Sequence, residues 1–274
     1  LNALMQRQGW QAHLELDYQY RADKTRLVRS KREGPLAVQR AFYPEGDVCH
    51  TYLLHPPGGV VAGDSLNIDL QVAAEARVLI TTPGATKFYR SIGPTGTVLQ
   101  RLKVAKGASL EWMPLENIFF PGTKSEITTE IELEQGAMFI GWEINCLGRP
   151  SNAERFESGS LSSQMKIYLN GDPILFDRFA TSAQSTVNSA VGLRGVSGYA
   201  SMVATLDNEE ALEAVQQLLA ENALAGVTVV DGLMVVRVIS DQAHQVVSLF
   251  ANVWKIIRPY VSGRDAVPPR IWAT

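Results

Sequence analysis

Three stretches of the chain repeat one pattern at nearly one spacing, and that spacing narrows the folds open to it. LQVAAEARVLITT begins at Leu70, LKVAKGASLEWMP at Leu102 and IELEQGAMFIGWE at Ile131, offsets of 32 and 29 residues. Each is an alternating strand, a tight turn, an Ala and a second strand. A looser fourth copy, IYLNGDPILFDRF, begins at Ile167 and carries an Asn170-Gly171 turn suited to a hairpin or a corner. Two-strand units recurring every ~30 residues can stack as rungs, each burying its apolar face on the next. The alternative is an antiparallel meander whose hairpins resemble one another by composition.

If the rungs stack, the segments after each second strand fall along one edge, about 4.8 Å apart. Those segments are Thr82-Pro83-Gly84, Glu116-Asn117, Glu143-Ile144-Asn145 and Asp177-Arg178. Carboxylates would then align there. Such an edge could pass a cation, or could be solvated and neutralised by Arg149, Arg155 and Arg178.

Elsewhere the pattern reads as β with a little α. Ala12, Leu14, Leu16, Tyr18 and Tyr20 form one face of a first strand, with His13, Glu15, Asp17 and Gln19 opposite. Arg26, Arg29, Lys31 and Arg32 read as the wet face of a strand, not as a nucleic-acid stripe. Residues 181–201, rich in Ser and Gly, read as an extended surface segment or one more thin rung. Asp207 then opens a helix with Glu210 as capping-box partner and Leu212, Val215, Leu218, Leu219 and Ala223 as its apolar stripe. Asp231-Gly232 joins a hairpin. A second helix over about residues 242–260 turns Val246, Phe250, Val253, Trp254 and Ile257 inward, with Pro259 near its end. The expected architecture is mainly β: a β-helix-like stack of two-strand rungs with two C-terminal α-helices. It forms one domain over residues 1–274, with a β body at about 10–205 and a mixed α/β part at about 206–274.

Bulk properties exclude several functions. With 46% apolar and 19% charged residues and a net charge of −3, the chain reads as folded and soluble. Two cysteines, Cys49 and Cys146, make no disulfide framework, which points to a reducing cytoplasm. The first residues lack a signal-peptide pattern, and the apolar stretch at 246–261 is too short and polar to span a bilayer.

The stretch LLHPPGGVVAGDSL at 53–66 invites a phosphate-loop reading, but GGVVAGD lacks that motif's Lys-Ser/Thr pair, and a strand follows Asp64. The histidines at 13, 50, 55 and 244 lack metal-ligand spacing. No nucleophile elbow or triad spacing occurs. Paired carboxylates such as Glu143 and Asp177 keep open a β-solenoid carbohydrate-active enzyme, with acid and base flanking a cleft.

Five unusual strings occur in one order: HPPGGVVAGD at 55–64, TTPGATKFYRS at 81–91, LEWMPLENIFFPG at 110–122, GWEINCLGRPSNAERF at 141–156 and DRF at 177–179. Together they closely resemble the UreD (UreH) family of urease accessory proteins. That resemblance implies a cytosolic, non-enzymatic, β-helix-like protein without a tightly bound cofactor. Its implied partners are the accessory proteins UreF and UreG, the latter a GTPase, and apo-urease. Its implied cargo is nickel(II), conducted through a tunnel to the urease active site.

Carried onto this chain, one family motif falls on His55, Pro57, Gly58, Gly59, Gly63 and Asp64. A second falls on Pro114, Leu115, Glu116, Phe120 and Pro121, and a third on Leu147, Gly148, Arg149 and Glu154. Asn145 stands where relatives are expected to carry a polar or acidic group. Joined to the rung-edge reading, the expected nickel path runs by Asp64, Glu116, Glu143, Asp177 and His55, with Pro57, Gly58, Gly59, Gly63 and Arg149 as structural marks. Weak oxygen ligation suits a conduit, which must release what it takes up. The rival role for Asp64 is to hold the Gly63 turn.

Overall fold

In the computed structural model, which describes residues 9–182 and 187–273, the repeat becomes a stack of about four turns between two sheets. The first turn uses β1 (Gln11–Arg21), its hairpin partner β2 (Lys24–Glu33), the short β3 (Ala37–Val38) and β4 (Cys49–Leu54). The second uses β5 (Ser65–Val72) and β6 (Arg77–Thr81), followed by β7 (Thr86–Phe88). The third uses β8 (Gly96–Val104) and β9 (Ser109–Met113), followed by β10 (Asn117–Phe119). The fourth uses β11 (Lys124–Leu133) and β12 (Met138–Leu147). Then come β13 (Ser160–Leu169), β14 (Asp172–Ser182) and β15 (Gly198–Ala204). Helix α1 (Glu209–Leu219), β16 (Ala225–Val230), β17 (Leu233–Ile239) and α2 (Ala243–Ser262) complete the chain.

The first sheet is ordered β14-β13-β11-β8-β5-β1-β2, parallel from β1 through β13 and antiparallel at both ends. The second runs β16-β17-β15-β12-β9-β6-β4-β3, parallel from β4 to β12. The repeat starts fall in register: Leu16 pairs with Leu70, Leu70 with Leu102, Leu102 with Ile131 and Ile131 with Ile167. All five are fully buried and face the second sheet, each stabilising by about 1.5–3 kcal/mol. The repeated Ala closes each tight turn: Ala76, Ala108 and Ala137 donate to Ala73, Ala105 and Glu134. Neighbouring turns pack against these alanines, which are almost fully buried, so a larger side chain there would collide.

The structure bears out the stacked reading over the meander and corrects it in one place. The fourth copy is not a rung. Its Asn170-Gly171 turn, with φ of 51° and 89°, folds β14 back antiparallel on β13, so β14 stays in the first sheet. The strand that follows β12 in the second sheet is instead β15, which begins within the stretch expected to be a surface segment or thin rung and runs past its end; positions 183–186 lie outside the described residues.

The C-terminal elements extend the same second sheet. The Asp231-Gly232 hairpin forms as expected, both residues at positive φ. Helix α2 buries Val246, Phe250, Val253, Trp254 and Ile257 on the outer face of that sheet, making a second core with α1. The start of α1 differs by one residue. Asn208, not Asp207, is its cap, accepting from the backbone of Ala211. Its buried face is Ala211, Val215 and Leu219, while Leu218 is exposed and Ala223 lies past its end. On β1, Ala12, Leu14, Leu16 and Tyr18 are buried as the alternation requires, but Tyr20, beyond a bulge, is exposed. No described helix is long and apolar enough to cross a membrane.

Candidate functional site

The loop between β4 and β5 sits over the gap between the sheets. His55 accepts from Gly58 across the Pro56-Pro57 turn, with Pro57 and Gly58 exposed. Gly59 lies against Tyr89 and the carbonyl of Lys87, where a Cβ would come within 2.6 Å of that oxygen, so no other residue fits. Gly63, at φ 79°, makes the last bend before β5. Asp64 is buried and spends both carboxylate oxygens on this bend: Oδ1 accepts from the backbone of Trp10 at 2.7 Å and Oδ2 from Val61 at 2.9 Å. Both carboxylate oxygens thus hold the bend and tie the start of β1 beside β5. Arg149 forks onto Glu154 and lies over the Phe120 ring at 4.6 Å, holding the loop after β12.

Beneath the loop lies a cavity of about 310 Å³ between the sheets, walled by His55, Thr86, Gln100, Asn117, Thr129 and Glu143 among apolar side chains. A second cavity of about 160 Å³ is lined by Glu143, Ser163, Asp177, Tyr199, Ser201 and Arg237. Glu143 belongs to both. It lies on the inward face of β12, in a row with Phe139 and Leu147, where alternation would place an apolar residue.

Three donors converge on one oxygen of Glu143. The Ser163 hydroxyl, the Asn145 amide and, at 3.4 Å, the Tyr199 hydroxyl all reach Oε1. Among the described residues none donates to Oε2, and the surface the side chain retains faces the cavities. Burial raises the Glu143 carboxyl above the usual range, against those three hydrogen bonds, and the charge of Asp177 adds to the rise. Tyr199 is likewise held well above its usual value by burial and by Glu143.

A polar chain runs inward from the loop side. Asn117 donates to Asn145 at 3.0 Å, and Asn145 donates to Glu143. Beyond Glu143, Asp177 accepts from Ser201 at 3.0 Å and pairs with Arg237 at 3.2 Å. His55 carries two ring nitrogens that are buried and without a hydrogen-bond partner among the described residues. Burial lowers its pKa, so the ring is neutral near pH 7, although the charge of Asp64 pulls the other way.

The expected column of aligned carboxylates does not form. The stacked position is held by Thr86, Asn117 and Asn145, which pair in register through β7, β10 and β12. Glu116 is one residue out of that register; its carbonyl accepts from Thr86 and its side chain lines neither cavity. Asp177 stands on β14 in the opposite sheet, because the fourth copy is a hairpin. Two of the expected acids, Glu143 and Asp177, still meet, but across the space between sheets and not along an edge.

Sequence reading missed Ser163, Tyr199, Ser201 and Arg237. One signal was available. With the repeats aligned, Gln100 and Thr129 occupy one inward position and Ser163 another, polar residues at apolar parity in three successive strands of the first sheet. Among the described residues no group of three or more His, Cys, Asp or Glu could hold a metal ion. A cation here would have few protein ligands and would keep much of its water.

A model of the family described as UreD urease accessory protein matches residues 11–273. The chain belongs to this family. Among relatives, the urease accessory protein UreD of Alcanivorax borkumensis is 44% identical over 273 residues, covering 97% of this chain and 93% of the relative. Those of Aliivibrio fischeri and Pseudomonas putida are 40% and 42% identical, each over 97% of this chain and 97% and 95% of their own. The UreD match thus spans the loop, both cavities and the C-terminal helices.

Proposed function

We propose that the chain is a cytoplasmic, non-enzymatic urease maturation factor that joins a UreF/UreG complex to apo-urease and conducts nickel(II) through its interior. Family membership supports the maturation role. The observation that carries the conduit is Glu143: one carboxylate on the wall of two cavities, with Oε1 fixed by three donors and Oε2 without a donor among the described residues. A hydrated divalent ion passing from one cavity to the other would meet that oxygen. Asn117 and Asn145 would receive its water shell on one side and Asp177 would lie ahead on the other. Sparse oxygen ligation favours release over retention. His55, neutral and at the wall of the larger cavity, is a nitrogen donor that a carboxylate-only path would lack.

The carbohydrate-active alternative would use Glu143 as acid and Asp177 as base. It fits less well. The cavity they share is about 160 Å³, and both oxygens of Asp177 are engaged by Ser201 and Arg237.

The test is Glu143→Gln co-expressed with urease and the other accessory proteins. Pull-down should recover UreF, UreG and urease as for the wild type, while the nickel content of urease falls severalfold. Normal nickel content in that urease would sink the conduit, and failure to recover UreF with the wild-type chain would sink the scaffold role.

A further inference from the structure

Among the described residues, three contacts close the seam between the two sheets on the side of the smaller cavity. Phe179 of β14 stacks on Tyr199 of β15 at 3.9 Å, Ser201 of β15 donates to Asp177 of β14, and Arg237 of β17 pairs with the same Asp177. The last is the only ion pair there among the described residues, and it is partly open to solvent: the Arg237 side chain is 56% exposed and that of Asp177 24%. The two acids of this cavity are thus in different states. Among the described residues nothing donates to one oxygen of Glu143, whereas both oxygens of Asp177 are engaged, one by a cation belonging to the protein itself.

We propose that Arg237 is a latch: its guanidinium occupies Asp177 in place of a metal and holds the outer mouth of the smaller cavity shut until a divalent cation displaces it. This rests on reading the cavities as a nickel passage. The chemistry is competition between two cations for one carboxylate. A guanidinium binds a carboxylate through hydrogen bonds of fixed geometry and only one unit of charge. A divalent ion carries twice that charge, and both Asp177 and Glu143 line the cavity it would enter, whereas Arg237 pairs with Asp177. Once displaced, the long arginine stem has solvent to move into. The latch would release a divalent ion as Arg237 returns to Asp177.

The purified full chain can be titrated with Ni²⁺ in competition with a chromogenic chelator, with circular dichroism confirming the fold of each variant. Arg237→Ala removes the cation that competes with nickel for Asp177, so nickel should bind at least about tenfold more tightly. Arg237→Lys keeps the charge and should stay much nearer the wild type. In an Asp177→Asn background, Arg237→Ala should change nothing further. The latch is overturned if Arg237→Ala binds nickel like the wild type while Glu143→Gln weakens binding; the passage would then stand and the pair would be a surface staple. If neither Glu143→Gln nor Arg237→Ala alters nickel binding, the passage and the latch both fall.

Discussion

Replacing Arg258 with alanine strands two carboxylates inside the protein. Arg258 lies on α2 with no exposed surface, and its guanidinium reaches both oxygens of Glu111 on β9, both oxygens of Glu45 before β4 and the carbonyl of Asp265. Among the described residues Glu111 would keep the Trp254 indole alone and Glu45 His50 alone. Removing one partner from a buried pair costs about 3–5 kcal/mol, and here two nearly sealed carboxylates lose the same partner. For a domain of this size that is a fall in Tm of roughly 10 °C or more.

The loss has a pH signature. Burial already raises the Glu111 carboxyl against the pull of Arg258, and without Arg258 it must rise further. The folded variant then holds a proton that the unfolded chain releases, so its stability falls as pH climbs above the ordinary carboxylate range. Urea unfolding at pH 8 and at pH 5.5 should therefore show a larger deficit at pH 8. A deficit below about 1 kcal/mol at pH 8, or one equal at both pH values, would refute this account of the buried network. Arg258→Met combined with Glu111→Gln should recover much of the loss, because no charge is then left unpaired at Glu111.

Other outcomes follow from the same reasoning. Asp64→Ala leaves the backbone N–H groups of Trp10 and Val61 without their acceptor, at about 1–3 kcal/mol each; thermal melting should show it, with Asp64→Asn milder. Glu143 has a raised carboxyl, so the wild type loses stability as pH rises above the unfolded carboxylate value, and Glu143→Gln should flatten that slope in melts between pH 5 and 8. Asn208→Ala removes the cap of α1 and should cost about 1 kcal/mol in denaturant titration, whereas Asp207→Ala should cost little.

The fold was legible wherever one residue type recurs with one job. Leu70, Leu102 and Ile131 mark the strand positions that stack, and the Ala of each unit marks the turn that must be small. The fourth copy misleads because Asn170-Gly171 serves a hairpin or a corner equally well; only packing decides between them. The site was legible in part. Glu143 and Asp177 stood out as acids, but their meeting depends on β14 returning through the first sheet, which periodicity does not record. Ser163, Tyr199 and Arg237 are ordinary residues on ordinary strands, made relevant by what lies opposite them. The contact of Asp64 with the backbone of Trp10, 54 positions earlier, leaves no mark in the sequence pattern.

The antiparallel hairpins at both ends of the first sheet have one more consequence. A parallel stack of this kind has no intrinsic length, and an uncapped one is a template on which further strands, its own copies included, can polymerise. Here β2 closes one end with Arg26, Arg29, Lys31 and Arg32, and β14 closes the other. The stack is therefore a ruler with fixed ends. Its height can change only in steps of about 4.8 Å, one whole repeat at a time. A family built on it would vary its loops freely while the spacing between the two ends of the molecule stayed quantised.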